Sequence, residues 1–158
     1  MSDFVRGFAA IGLHSPKTGH NIGGVLRAAM CYDAASVAIS GQRIGGDQIR
    51  HAANTIKAHR HIPVIRGELR DLIPYGAVPV AVDLVDDAEP LDEFIHPHSA
   101  FYVFGPEDGT LGKAVLDWCP RRVMIPTRMC MNLAATVNVV LYDRQAKQRR
   151  RVLERVAA

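Results

Sequence analysis

At 158 residues, 48% of them hydrophobic and 22% charged, the chain has the make-up of one globular domain rather than a disordered or fibrous segment. No run approaches the roughly 18 uninterrupted apolar residues of a membrane span. The start, Met-Ser-Asp-Phe-Val-Arg, lacks the basic-then-apolar pattern of a secretory signal, so a cytoplasmic location is expected. The formal net charge of +3 permits an anionic partner without demanding one.

In chain order, apolar runs at 8–13, 36–40, 61–65, 77–85, 100–104 and 122–125 read as strands, punctuated by Gly, Pro or Asp. Helical spacing marks 22–32, 47–59, 69–73 and 111–118 between them. Strands alternating with helices predict an α/β domain, with a mainly parallel sheet and helices on both faces. Neither an internal repeat nor a low-complexity linker interrupts residues 1–158, which are expected to form a single domain. The scattered cysteines Cys31, Cys119 and Cys130 form no CxxC pair, which argues against both a disulfide framework and a structural zinc site.

The last segment differs. Residues 131–142 are apolar on nearly every side, with Leu133, Val137, Val140 and Leu141 at helical spacing and Ala134, Ala135 and Val139 between them. A helix apolar all round is expected to be buried all round. One reading packs it partly on its own sheet and partly on a second subunit; the alternative is a central helix within one chain. From 143 to 158 the sequence turns basic, with Arg144, Lys147, Arg149, Arg150, Arg151 and Arg155. That end either complements the helix dipole in solvent or contacts phosphates.

Three constellations carry candidate chemistry. Ser15-Pro-Lys-Thr-Gly-His-Asn-Ile-Gly-Gly-Val-Leu-Arg27 follows the first strand directly. Asn21 is a suitable helix N-cap there, while Gly23 and Gly24 weaken the helix in a way that fits a close approach to its backbone. Bare amides at the helix start with Arg27 nearby suit an anion; a capped helix with a surface arginine accounts for the same residues. The GxGxxG spacing of a dinucleotide fingerprint is absent. Phe104-Gly-Pro-Glu-Asp-Gly-Thr-Leu111 ends a hydrophobic strand in a tight turn, the usual ligand position at the carboxyl edge of an open α/β sheet, though a plain surface turn reads equally well. Val123-Met-Ile-Pro-Thr-Arg-Met-Cys-Met-Asn-Leu133 joins the last strand to the apolar helix. Asn132, polar among apolar neighbours, needs a partner there or caps the helix.

In order and placement, Asn21-x-Gly-x-x-x-Arg27, Gly105-Pro-Glu107 and Ile125-Pro…Asn132-Leu133 resemble the three motifs of the SpoU/TrmH family of RNA ribose methyltransferases, within the SPOUT superfamily. The resemblance runs from Phe8 to about Asp143, and the length resembles that of short members that methylate the tRNA wobble position. It implies a C-terminal trefoil knot, a homodimer, and S-adenosylmethionine held by Val82, Asp83, Leu84, Gly105, Pro106, Glu107, Ile125, Thr127, Cys130 and Leu133. It further implies Arg27 as the central catalytic residue, with Asn21, Glu107 and Asn132 supporting it, and RNA contacts from Asn21, Arg27 and Arg128. The expected reaction is methyl transfer to a ribose 2′-hydroxyl of RNA, with tRNA favoured over rRNA and no metal required.

The chain departs from the family pattern at Thr110, where the second motif usually has glycine, and at Cys130, where the third has serine. The loop Ile-Pro-Thr-Arg-Met is also short. A non-catalytic RNA-binding protein on the same fold, a base-nitrogen RNA methyltransferase and an enzyme for another nucleotide remain the alternatives. His59-Arg-His61 and His96-Pro-His98 have no carboxylate or cysteine at matching spacing and are not expected to bind metal. The six carboxylates between Asp83 and Glu93, with no base among them, are expected to form a solvated loop away from the RNA.

Overall fold

In the computed structural model, residues 7–55 and 57–157 are described. The N-terminal hexapeptide, Ile56 (inside the helix expected at 47–59) and residue 158 lie outside them. Seven strands form one sheet: β1 (Ala9–His14), β2 (Val37–Ser40), β3 (Val64–Arg66), β4 (Val78–Val82), β5 (Glu89–Pro90), β6 (Ala100–Phe104) and β7 (Arg121–Met124). Their order across the sheet is β3-β2-β1-β6-β4-β7-β5, and every pairing is parallel. The chain thus re-enters its own sheet twice. β6 inserts between β1 and β4, with Phe104 level with Leu13 on one side and Val82 on the other. β7 then inserts between β4 and β5.

The helices are α1 (Gly19–Cys31), α2 (Gly46–Thr55), α3 (Lys113–Leu116) and α4 (Leu133–Ala157). Both faces of the sheet are covered, but unequally. The larger core packs α1, α2 and α4 against inward residues such as Ile11, Leu13, Ile39, Val80, Tyr102 and Phe104. The opposite face is covered by short elements: α3, and a single 3-10 turn at Leu69–Leu72 where a helix was expected at 69–73. Its strand residues alternate with those of the first core, as the two-residue period of a strand requires: Ala10, Ala38, Ala81, Phe101 and Val103. α1 and α4 approach closely at Gly24, where a Cβ would stand 2.7 Å from that of Ala134. This contact accounts for one of the two glycines that cost helix propensity.

The expected helix at 47–59 ends earlier, at Thr55, and is followed by a 3-10 turn at Ala58–Arg60. The acidic stretch is solvated as expected, with Asp86, Asp87, Glu89, Asp92 and Glu93 exposed, but it is not all loop. It contains β5, an edge strand that tolerates Pro90, and is paired from outside its own sequence. Asp87 binds Arg122, and Glu89 accepts from Arg121 at 2.8 Å.

The basic end is corrected too. It continues α4 as one helix to Ala157, but Arg144 is only 5% exposed. Its guanidinium donates to the carbonyls of Pro97 (2.6 Å), His98 (2.6 Å) and Phe8 (3.2 Å), and to the Tyr102 hydroxyl (3.2 Å). Lys147 is also partnered, donating to the carbonyls of Leu91 and Phe94. Arg149, Arg150, Arg151 and Arg155 are exposed. The apolar part of α4 buries Leu133, Val137, Val140 and Leu141 but leaves Ala135 exposed and Tyr142 61% exposed. It is not buried all round by its own chain.

His96 lies in the same buried group. Its Nδ1 stands 2.6 Å from the Tyr102 hydroxyl and its Nε2 2.8 Å from Asp143 Oδ2. Burial outweighs the raising effect of the Asp143 carboxylate and lowers the His96 pKa from 6.5 to about 4. The neutral ring therefore donates from Nε2 to Asp143 and accepts at Nδ1 from Tyr102, whose own hydroxyl burial pushes up to about 12. Because the folded pKa is depressed, the unfolded chain takes up the proton first. This contribution to stability is fully present above pH 6.5 and is lost as the pH falls toward about 4. Urea unfolding at pH 7.5 and at pH 5 should show wild type losing more stability than His96→Gln across that interval. Equal losses would mean that His96 is not held neutral.

Candidate active site at the carboxyl edge of the sheet

The carboxyl ends of β1, β4, β6 and β7 meet at one edge, and each of the three constellations begins there. α1 does not start as expected. Thr18 is its N-cap, and its hydroxyl accepts from the amide of Asn21. Asn21 sits inside the first turn with its side chain free for other work. Asn21 Nδ2 donates to Glu107 Oε1 at 2.5 Å, and Glu107 Oε2 accepts from the Lys17 amide at 2.8 Å. Asn132 Nδ2 donates to Asn21 Oδ1 at 2.8 Å. Its own Oδ1 accepts from the amides of Ala134 (2.9 Å) and Ala135 (3.3 Å), at the start of α4. Both readings of Asn132 therefore hold: it caps α4, and it has a partner.

Glu107, Asn21 and Asn132 form one hydrogen-bonded chain across residues far apart in sequence. On one side of it lies a cavity of about 460 Å³. All ten residues expected around a cofactor line this cavity: Val82, Asp83, Leu84, Gly105, Pro106, Glu107, Ile125, Thr127, Cys130 and Leu133. The strand ends supply apolar walls, joined by Phe104 and Met124. Asp83 braces the rim, accepting from the Leu84 amide with Oδ1 and from the Leu111 amide with Oδ2, both at 2.8 Å. Thr127 closes its loop by donating to the Met129 carbonyl at 2.8 Å. The lining includes the carboxylates of Asp83, Glu107 and Asp108 but no lysine or arginine, which suits a ligand that is apolar in part and carries positive charge.

On the other side of the chain, α1 and α2 flank an open cleft lined by Asn21, Gly23, Gly24, Arg27, Asp47, Gln48, His51 and Asn132, among others. Arg27 is exposed and has no hydrogen bond or ion pair within the described residues. An exposed guanidinium without a partner in the fold can grip an external anion. Arg128 is exposed and lines neither the cavity nor the cleft.

Sequence reasoning missed Lys17, Arg43 and Asp108. Arg43 donates to both oxygens of Asp108, at 2.7 and 2.8 Å, and Lys17 Nζ lies 3.6 Å from the same carboxylate. The Arg43 guanidinium holds the Asp108 carboxyl well below the usual carboxylate range. No local pattern links positions 65 residues apart. The one available signal was Asp108 itself, a second carboxylate directly after Glu107.

The substitutions at Thr110 and Cys130 do not close the cavity. Thr110 is exposed and is not among the described residues with positive φ, so its backbone does not need a glycine. Cys130 is likewise exposed at the lining.

A family model, the SpoU rRNA Methylase family, matches residues 9–142. The chain belongs to this family. No curated protein matches it by sequence. Among solved structures it is similar to the SpoU methyltransferase AviRb from Streptomyces viridochromogenes in complex with the cofactor AdoMet (TM-score 0.78, 21% identity), with 93% of this chain and 59% of AviRb covered. A structure described as giving insight into 2-OH methylation of C/U34 on tRNA is similar over 89% of this chain and 90% of that one (TM-score 0.72, 20% identity). The A. aeolicus TrmH/SpoU tRNA modifying enzyme is similar over 93% and 80% (TM-score 0.74, 13% identity). At these identities the structures bear on the fold.

Proposed function

We propose that this chain transfers a methyl group from S-adenosylmethionine to a ribose 2′-hydroxyl of RNA, with tRNA the favoured substrate. The observation that carries this reading is the Glu107–Asn21–Asn132 chain, which joins an acidic, partly apolar cavity to a cleft whose arginine has no partner among the described residues. The cavity fits the cofactor: Val82, Leu84, Ile125 and Leu133 offer apolar contact, and the surrounding carboxylates suit a sulfonium cation. When bound, S-adenosylmethionine supplies an activated methyl group, so no metal is needed.

The residues of the chain position and stabilise. Asn21 and Asn132 fix the start of α1 against the start of α4, setting the distance between cavity and cleft. Arg27 grips an RNA phosphate and stabilises the negative charge that develops on the ribose oxygen. A guanidinium keeps its proton in proteins, so Arg27 acts through charge and not as the base. The hydroxyl proton leaves to water in the open cleft.

The tRNA preference rests on family membership and on likeness to the tRNA 2-OH methylation structure, which this chain matches in length. A homodimer belongs to the same reading, since Tyr142 and neighbouring parts of α4 remain uncovered. So does a cytoplasmic location; among the described residues no helix is long and apolar enough to cross a membrane.

The test is methyl transfer from labelled S-adenosylmethionine to total RNA from cells lacking the protein, followed by nucleoside analysis. A 2′-O-methylnucleoside is the expected product. A base-methylated nucleoside would overturn the ribose assignment, and failure to bind S-adenosylmethionine would leave only an RNA-binding role.

A further inference from the structure

The turn between β6 and α3 carries two adjacent carboxylates that are held by different loops. Glu107 is bound by the β1–α1 connection, through the Lys17 amide, and by Asn21 of α1. Asp108 is bound by Arg43, which lies in the β2–α2 connection. Farther along the turn, the Leu111 amide is fixed by Asp83 at the end of β4. The segment from Gly105 to Thr110 forms one wall of the cavity. Of the four residues that hold it, Asp83 lines the cavity and Asn21 the cleft, while Lys17 and Arg43 line neither; Arg43 alone of these two holds the turn through its side chain at hydrogen-bond distance.

We propose that Arg43 is a positioning residue for the cofactor cavity: its paired bonds to Asp108 hold the second-motif turn where Glu107 meets Asn21. This rests on the methyltransferase reading for its catalytic consequence but not for its structural one. Both partners are substantially exposed, with side chains 39% and 41% accessible. An exposed pair adds little to overall stability, so its bidentate geometry acts locally, on the placement of one turn. Lys17, 3.6 Å from the same carboxylate, is a weaker second tie. Asp108→Asn therefore loses more than Arg43→Gln. The tie acts with this chain's Thr110 in the same direction: a threonine restricts the backbone more than the pattern's glycine would, and the ion pair removes further freedom from the same turn.

Arg43→Gln, Asp108→Asn and the charge exchange Arg43→Asp with Asp108→Arg are compared with wild type in two measurements on the full chain. Hydrogen exchange without ligand should show faster exchange at the Leu111 and Lys17 amides in both single variants, with an unchanged global unfolding midpoint. Calorimetry with S-adenosylmethionine should show about tenfold weaker binding in Arg43→Gln, and in turnover a raised cofactor KM with a smaller change in kcat. The charge exchange should restore part of both. Unchanged exchange at the two amides overturns the proposal whether or not the cofactor binds. Faster exchange with unaltered cofactor affinity overturns the link to the cavity. Wild type that fails to bind S-adenosylmethionine refutes the methyltransferase reading, while the exchange data still decide the clamp.

Discussion

Arg27→Ala is expected to lower kcat/KM for RNA by at least about a hundredfold while leaving S-adenosylmethionine affinity nearly unchanged. The asymmetry follows from the geometry. Arg27 lines the cleft but not the cavity, and it has no partner among the described residues whose loss would disturb the fold. Its side chain is exposed, so truncation leaves no cavity and strands no buried acceptor. The whole cost should fall on the external anion and on the charge at the reacting oxygen. Arg27→Lys separates the two roles. Lysine keeps the charge but cannot offer two parallel donors, so substantial loss at saturating RNA would assign the effect to the guanidinium fork. Near-normal turnover in Arg27→Lys would leave only a point charge at this position. Should Arg27→Ala weaken cofactor binding as much as turnover, the division into cavity and cleft would be wrong.

That division was partly legible in the sequence, because each motif lies directly after a strand. In a parallel α/β sheet those positions converge on the carboxyl edge whatever the strand order. The convergence of Val82, Gly105, Glu107, Ile125 and Leu133 on one cavity follows from that rule together with the family resemblance. The strand order itself was not legible. Nothing local in 100–104 says that β6 will pair between β1 and β4. The cap of α1 was misplaced for a related reason. Thr18 and Asn21 are both suitable caps, and the choice was decided by Glu107 and Asn132, which use the Asn21 side chain from 86 and 111 residues away. The acidic stretch misled in the same way: its bases, Arg121 and Arg122, come from a strand that is adjacent only after folding. Composition showed a charge excess; it had no means to show that Asp87 and Glu89 were paired.

Arg144 misled most, and it carries the largest expected effect on stability. Read among six basic residues it belongs to a solvated tail, yet its guanidinium is buried against the amino edge of the sheet, where it ties α4 to the segments preceding β1 and β6. Three backbone carbonyls and one hydroxyl depend on it. Arg144→Ala removes those charge-assisted bonds and leaves acceptors in a poorly hydrated place, so the expected loss is about 3 kcal/mol or more. Urea unfolding at pH 7.5 measures it through the midpoint, with the slope compared to confirm that the unfolded state is unchanged. Arg144→Lys should recover only part, since one ammonium cannot span carbonyls on two segments. The amino edge is the far end of the sheet from the motifs, so folded Arg144→Ala protein, assayed well below its unfolding midpoint, should retain kcat. A large loss of kcat with little loss of stability would mean that α4 transmits the state of this buried group to Asn132 at its other end. A stability loss of less than about 1 kcal/mol would mean that water satisfies those carbonyls instead.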